Sequence, residues 1–328
     1  MMPFAYARAG RVADAVADGA APDTAFLAGG TELLNWMRLG IAAPQRILDI
    51  SRIEGLDRIG GLGSGALRLG ALARLSDIGR NGIVARDYPV LAEAIQSAAS
   101  AQLRNLATIG GNLVQKTRCP YFRAEEMLPC NKRAQGSGCA AREGINDKHA
   151  IFGWSDACVA TQPSDPAVAL AALDAVVVTE AAKGGRRIPA REFHTLPGDE
   201  PERDNVLRPG ELIVAIELGP PAPRSAYLKL RERESYEFAT VSAAVTVESD
   251  GDVISKARIA LGSVAHRPWR LDGAERALVG RRLGSKEARS AIEAAFVEAR
   301  PLAHNAHKVV LARNAALRAL EMAAEVSA

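Results

Sequence analysis

Four cysteines, the residues best suited to redox or metal chemistry, fall within one internal segment and nowhere else in the chain. Ten, eight and eighteen residues separate them, in the order Cys119, Cys130, Cys139 and Cys158. Four thiolates can hold a [4Fe-4S] cluster, which tolerates long loops between its ligands. Structural zinc usually shows two close cysteine pairs, which are missing here, and two disulfides would need an oxidising compartment. Spacing alone leaves zinc and iron–sulfur chemistry both open.

The cysteine segment also carries many basic side chains. They could offset the negative charge of a four-thiolate cluster, but a solvated basic loop would explain them equally well. The residues concerned are Arg118, Arg123, Lys132, Arg133 and Arg142. His149 lies in the same segment without a visible partner, and we interpret it as a loop residue.

Two glycine pairs could bind an anion. Gly29–Gly30 lies in FLAGGTEL (26–33), and Gly110–Gly111 lies in ATIGGNL (107–113). Glycine has no Cβ, so backbone N–H groups can approach an anion closely, and a following helix start is electropositive. Two such turns could hold a dinucleotide by its pyrophosphate, although either pair alone is commonly just a corner. A third stretch, 61–66, precedes an alternating strand and is predicted to be a hairpin loop.

The strands and helices around these turns are predicted from the spacing of the apolar residues and from the positions of glycine and proline. A strand over 24–28 runs into Gly29, and Thr31 is predicted to cap a helix that ends at Gly40. A long helix is predicted over 88–105, and a hairpin turns at Lys183–Gly185 between strands 175–180 and 186–190. Three prolines within 220–223 mark a predicted boundary between domains.

Composition narrows the class of protein. Nucleic-acid binders normally show a concentrated basic face. The net charge of only +3 therefore argues against that class of protein. No apolar run approaches the length of a membrane span. The first residues lack the pattern of a secretory signal, so we expect a cytoplasmic protein, or export with a partner that carries the signal. No Ser/His/Asp or Cys/His arrangement is visible, and no catalytic residue is predicted.

Five segments, in order, give a family resemblance: FLAGGTEL, ATIGGNL, PSDPAVAL (163–170), ELIVAIEL (211–218) and YLKLRERESYEFATVSAAV (227–245). The series resembles the FAD-binding subunits of the xanthine dehydrogenase, or molybdenum hydroxylase, family. The resemblance implies an α+β fold. It implies a two-subdomain FAD-binding domain of the PCMH type over 1–219. A smaller α+β domain over 224–328, with a three-stranded antiparallel sheet and helices, resembles the flavoprotein C-terminal domain of carbon monoxide dehydrogenase.

The resemblance also implies FAD contacts. The residues expected to wrap the pyrophosphate are Phe26, Leu27, Ala28, Gly29, Gly30, Thr31, Glu32 and Leu33. Those expected to line the cofactor near the second turn are Ala99, Leu103, Thr108, Gly111, Asn112 and Val114. Asp165 is expected to accept hydrogen bonds from FAD hydroxyls, Ile213 to lie against a ring, and Lys229 to stabilise the reduced flavin. From the residues alone, Asp165 could equally be a helix N-cap and Lys229 a surface lysine.

Segment 115–162 resembles an insertion found in the aldehyde oxidoreductase branch and in 4-hydroxybenzoyl-CoA reductases. There, four cysteines hold a [4Fe-4S] cluster, which implies that Cys119, Cys130, Cys139 and Cys158 are ligands. The implied protein is the electron-transfer subunit of a heterotrimeric aldehyde oxidoreductase. A large partner holds the molybdenum cofactor and oxidises the substrate, and a small [2Fe-2S] partner passes electrons to FAD and then to an external acceptor. A 4-hydroxybenzoyl-CoA reductase-like or xanthine dehydrogenase-like subunit, a self-sufficient flavin oxidoreductase and a zinc-stapled interaction subunit stay as alternatives.

Overall fold

The computed structural model describes residues 1–325, which form three sheets with helices packed around them. The last three residues of the predicted C-terminal domain lie outside the described residues. Among residues 1–325 the strands are β1 (Ala5–Arg8), β2 (Thr24–Leu27), β3 (Arg46–Asp49), β4 (Ile59–Gly63), β5 (Ala66–Gly70), β6 (Val176–Glu180), β7 (Arg186–Pro189), β8 (Leu212–Leu218), β9 (Ser225–Leu230), β10 (Val241–Asp250), β11 (Val253–Gly262) and β12 (Trp269–Arg270).

The helices are mostly short, and many contribute only one or two turns. Over the same described range they are α1 (Val12–Gly19), α2 (Leu33–Arg38), α3 (Leu75–Arg80), α4 (Gly82–Asp87), α5 (Pro89–Ser97), α6 (Ala101–Arg104), α7 (Ile109–Leu113), α8 (Pro120–Arg123), α9 (Ala140–Glu143), α10 (Asp165–Ala172), α11 (Ala190–Phe193), α12 (Asp272–Leu278), α13 (Lys286–Ala294) and α14 (His307–Glu325). None of them is long and apolar enough to cross a membrane.

The N-terminal sheet is parallel, with strand order β1-β3-β2. Its middle strand, β3, is buried, and β2 delivers the chain to the first glycine pair. The helix that follows is shorter than predicted. It begins at Leu33, and Glu32 rather than Thr31 occupies the N-cap without a capping hydrogen bond. The residues from 29 to 32 therefore form an open turn between strand and helix.

The second sheet is antiparallel, in the order β4-β5-β8-β6-β7. Its β6–β7 hairpin confirms the predicted turn at Lys183–Gly185. The prediction of a single long helix over 88–105 is wrong, because the helix is interrupted between α5 and α6. Ala99 has a φ of 49°, which a helix cannot contain, and Ser100 caps the new helix by accepting from Leu103 N at 3.3 Å. An alanine-rich pattern gives no sign of such a break.

The C-terminal sheet has the order β12-β11-β10-β9 and packs against α14. The prediction of three strands was one strand short. The fourth, Trp269–Arg270, has two residues, too few to produce an alternating pattern in the sequence. The buried face of α14 includes Leu317 and Leu320.

The cysteine segment, 115–162, contains α8, α9 and loops, and it packs on the C-terminal domain. Ile151 and Phe152 are buried in the apolar core of that domain. Both backbone amides donate to the carbonyl of Val264, at 2.8 and 3.0 Å. Lys308, at the start of α14, is fully buried and donates to three backbone carbonyls, two of them within this segment. The insertion is thus anchored to the C-terminal domain rather than extending into solvent.

Candidate functional site

A cavity of about 260 Å³ lies where the first glycine pair meets the second. Loops that end β2, β5 and α6 bring its walls together, and the N-terminal part of β8 closes one side. Most of the residues that the sequence assigned to the pyrophosphate and its surroundings meet at this cavity. They are Phe26, Ala28, Gly29, Gly30, Thr31, Glu32, Leu33, Thr108, Gly111, Val114 and Ile213.

The first glycine pair is held against the loop before the second. A Cβ built on Gly29 would stand 1.9 Å from the carbonyl oxygen of Leu106, so no other residue fits there without moving backbone. Gly30 has a φ of +73°, which favours glycine. Among residues 1–325, the amides of positions 29 to 32 donate no hydrogen bond. Unpaired donors beside a cavity are suited to binding an anion.

The second glycine turn contributes differently. Its amides are already used: Gly110 N donates to Ala71 O at 2.9 Å, and Gly111 N to the Thr108 hydroxyl at 3.2 Å. A Cβ on Gly110 would approach Ala71 to 3.0 Å, so this glycine allows close packing of α7 on β5. The second turn therefore forms one wall of the cavity and can donate the proton of the Thr108 hydroxyl. The first turn supplies the free amides.

A second cavity, of about 600 Å³, adjoins the first and shares Thr31 and Glu32 with it. Ala99 and Leu103, two predicted cofactor contacts, line it. Arg118 crosses from the cysteine segment and forms a bidentate ion pair with Glu32, with Nη1–Oε2 at 3.0 Å. The Arg118 guanidinium also lies 4.5 Å from the ring centre of Phe238. The cysteine segment thus forms part of the wall beside the first glycine turn.

Four predicted contacts lie outside both cavities: Leu27, Asn112, Asp165 and Lys229. Asp165 and Lys229 form a buried ion pair at 2.8 Å, with side chains only 4% and 3% exposed. The Tyr227 hydroxyl donates to the other carboxylate oxygen at 2.6 Å, and Lys229 also donates to Ser97 O. Burial raises the pKa of Asp165, and the Lys229 charge opposes that rise.

Neither of the simpler roles considered for this pair fits the structure. Lys229 is not a surface lysine, because it is buried in the ion pair. The N-cap of α10 is Ser164, whose hydroxyl accepts from Ala167 N at 3.0 Å, so Asp165 is the first residue of that helix. The same Ser164 hydroxyl lies 2.5 Å from the Asn112 amide oxygen. Asn112 thereby joins α10 to the second glycine turn.

All four cysteines line one small buried cavity, and all are free thiols. Burial raises the pKa of Cys119 to about 12 and that of Cys158 to about 11. Ala160 N lies 3.4 Å from the Cys158 sulfur, and His149 Nε2 lies 3.2 Å from the Cys119 sulfur. Cys119 also lines the second cavity, so the two spaces have a wall in common. Within residues 1–325, no group of three His, Cys, Asp or Glu side chains is arranged to hold a metal ion.

A buried charge network joins the cysteine segment to Asp204 of the N-terminal domain. The Lys132 ammonium, between two of the cysteines, donates to Asp204 at 2.8 Å and lies 2.8 Å from His266 Nε2. Lys116 donates to the other oxygen of Asp204 at 2.6 Å. Burial alone would raise the pKa of Asp204, but the two lysines lower it to about 2. Lys116 also lies 5.7 Å from the ring centre of Trp36, a residue of the first cavity.

Comparison with known proteins shows which family the chain belongs to. Residues 2–221 match the family described as the FAD binding domain in molybdopterin dehydrogenase. Residues 225–323 match the CO dehydrogenase flavoprotein C-terminal domain. The chain belongs to the FAD-binding subunits of the molybdenum hydroxylases. This FAD-binding subunit is therefore part of an oxidoreductase, and the predicted fold class and family are confirmed.

Several relatives match the subunit over most of its length. It is 45% identical over 316 residues to the aldehyde oxidoreductase FAD-binding subunit PaoB of Escherichia coli (strain K12), covering 95% of this chain and 96% of that one. It is 28% identical over 283 residues to the xanthine dehydrogenase FAD-binding subunit of Escherichia coli O157:H7, covering 84% and 79%. The solved carbon monoxide dehydrogenase from Hydrogenophaga pseudoflava aligns with a TM-score of 0.77 at 28% identity, over 100% of both chains.

Several other residues of this FAD-binding subunit line the first cavity and were not predicted from the sequence. The first cavity is further lined by Ala25, Trp36, Ile50, Ala71, Leu72, Gly110, Leu207, Glu211 and Leu212. Glu211 is held by Arg186, with Nε–Oε1 at 2.8 Å, and by the Thr179 hydroxyl at 2.5 Å. Although burial opposes the effect, these bonds lower the pKa of Glu211 to about 2. Its position at the start of ELIVAIEL, beside Ile213, was the available signal.

Proposed function

We propose that the chain is the FAD-binding, electron-transferring subunit of a molybdenum-dependent aldehyde oxidoreductase. The observation that carries the aldehyde assignment is the 45% identity with PaoB over nearly the full length of both chains. Relatives named for glyceraldehyde, xanthine, carbon monoxide and caffeine are at 29% identity or below over 85% of the chain or less. A xanthine dehydrogenase-like or 4-hydroxybenzoyl-CoA reductase-like subunit is the alternative.

FAD fits the first two cavities on structural grounds. The amides of Gly29, Gly30, Thr31 and Glu32 are free donors at the place where a diphosphate would bind. The adjoining 600 Å³ space can accept a flavin ring against Ala99 and Leu103. FAD, when bound, supplies an acceptor that takes up electrons and passes them on. The protein's own part is to bind the diphosphate, orient the ring and exclude water.

The [4Fe-4S] cluster is part of the same proposal. Four free thiols surround one cavity, and the backbone amide of Ala160 lies 3.4 Å from the Cys158 sulfur. One zinc ion would draw four sulfurs to within about 4 Å of each other. In a cubane each thiolate binds a different iron, so its sulfurs stand farther apart. No group of three metal-ligating side chains is arranged around a single ion within residues 1–325, so analysis of bound iron and zinc has to decide between the two.

We assign the cluster mainly a structural role. Segment 115–162 has only two one-turn helices and no strand of its own, so four bonds to one cluster would supply the order that backbone pairing does not. The partners in the proposal are a small [2Fe-2S] subunit and a large molybdenum-cofactor subunit. Relatives named as a "medium chain" or "FAD-binding subunit" support a multi-subunit enzyme.

Aldehyde oxidation with a dye as electron acceptor tests the subunit assignment. We expect the isolated, FAD-loaded chain to be inactive, because no described residue near the flavin cavities is arranged for acid–base attack on an aldehyde. The chain co-expressed with both partners should oxidise aldehydes. Strong activity of the isolated chain would favour a self-sufficient flavin oxidoreductase and contradict the proposal. Activity of the trimer on purines but not aldehydes would favour the xanthine dehydrogenase-like alternative.

A further inference from the structure

Arg123 is a partly buried cation without a partner. It ends α8, in the cysteine segment, and lines the second cavity. Among residues 1–325 its guanidinium makes no hydrogen bond and no ion pair, and its Nη1 atom is fully buried. Leaving a buried donor unsatisfied costs free energy, and the cost is larger for a charged group. Such a group calls for an anion that the chain itself does not provide.

The charges around Arg123 leave an excess of positive charge. Burial lowers the pKa of Arg123 most, the charges of Arg118 and Arg38 lower it further, and only the charge of Glu32 raises it. Glu32 is already engaged by Arg118. Arg118, Arg123 and Glu32 all line the second cavity, so two guanidinium groups there face one carboxylate. The positive charge that is left over favours an anion, such as a diphosphate, beside Arg123.

The other cations of this cavity have partners. Lys148 pairs with Glu232 at 2.9 Å and with Glu237 at 3.4 Å, and Arg233 pairs with Glu237 at 3.6 Å. Asp147 also lines the cavity but forms no ion pair with Arg123. Arg123 is thus distinguished from its neighbours by the absence of a partner within the described residues, and not by charge alone.

We propose that Arg123 is an FAD-binding residue that the cysteine segment contributes to the flavin site, where its guanidinium contacts the diphosphate at the edge formed by Thr31 and Glu32, which line both cavities. The assignment rests on the proposed FAD function. Guanidinium groups suit phosphates because their fork of N–H donors matches phosphate oxygens. One consequence follows from thermodynamic linkage. Whatever orders the cysteine segment raises FAD affinity, and FAD stabilises that segment by the same factor.

The test uses Arg123→Gln, which keeps hydrogen-bonding capacity and removes the charge. Deflavinated protein is titrated with FAD, and Kd is read from quenching of flavin fluorescence. We expect Kd to rise at least about tenfold, the loss of one charge-assisted contact. Arg123→Lys should recover part of the affinity. Arg142→Gln removes a charge from the same segment, where Arg142 pairs with exposed Asp156, and should change Kd less than about twofold.

Two further measurements keep the outcomes distinct. ADP, which has the diphosphate without the flavin, should lose affinity for Arg123→Gln by the same factor as FAD. Iron and sulfide content should stay at the parent level, so that a lost cluster does not account for the change. An unchanged FAD Kd, or a loss for FAD with none for ADP, overturns the assignment of Arg123 to the diphosphate. If the parent protein itself binds no FAD, the proposed function fails instead.

Discussion

Replacing Lys229 by methionine separates a structural role of the buried ion pair from the flavin role that the sequence predicted. The substitution leaves the Asp165 carboxylate buried, with the Tyr227 hydroxyl as its remaining hydrogen bond. Breaking a buried pair from one side costs about 3–5 kcal/mol in the free energy of unfolding. In a chain of 328 residues the average unfolding entropy per residue makes 1 kcal/mol shift Tm by about 1.5 °C. We therefore expect Tm to fall by about 4–8 °C.

Thermal unfolding followed by circular dichroism measures the effect in FAD-loaded protein. Lys256→Met is the matched control, because Lys256 pairs with Glu248 at an exposed position of the same sheet and should contribute under about 1 kcal/mol. Adding Asp165→Asn to Lys229→Met should restore at least half of the lost stability, since no buried charge is then left. A Lys229→Met protein with parental Tm but a shifted flavin midpoint potential would refute this reasoning and support the flavin role.

Three more predictions concern the glycine turn, the anchor of the insertion and the response to acid. Gly29→Ala should raise the FAD Kd at least about tenfold, because its Cβ would collide with Leu106 O, whereas Gly10→Ala, with nothing within 4 Å, should leave Kd unchanged in the same fluorescence titration. Lys308→Met should lower the free energy of unfolding by about 3 kcal/mol in urea, since three buried carbonyls lose their donor; an unchanged urea midpoint would refute the anchoring role. The pKa of Glu211 is lowered to about 2. The stability that its carboxylate provides is therefore present above about pH 4 and is lost as the pH falls toward 2. Glu211→Gln should flatten the dependence of Tm on pH in that range.

The sequence predicted the first glycine turn well because its chemistry is local. Gly29 and Gly30 follow a strand and precede a helix, and both the tight approach and the positive φ are properties of glycine itself. Four cysteines in one segment likewise indicated a shared location, and they line one cavity. Which metal or cluster they hold stays a prediction, because spacing and burial leave the ligand chemistry open.

Other features depended on contacts between distant parts of the chain. Lys229 on β9 meets Asp165 at the start of α10 although 64 positions separate them in the chain, and periodicity does not reveal such a pairing. The break at Ala99, where φ is 49°, interrupts an alanine-rich pattern that by itself favours a continuous helix. Arg123 looked like one of several basic loop residues. That it is half-buried and has no partner within residues 1–325 emerges only when α8 is placed beside the second cavity.

The content of iron, acid-labile sulfide, zinc and flavin in the anaerobically purified chain tests the central claim most directly. The account predicts about four iron and about four sulfide together with about one FAD per chain, and a flavin absorption band over a broad iron–sulfur background. Changing Cys130 to serine should remove the iron–sulfur signal. A protein that carries zinc without iron, or that stays colourless after anaerobic reconstitution with FAD, iron and sulfide, would contradict it.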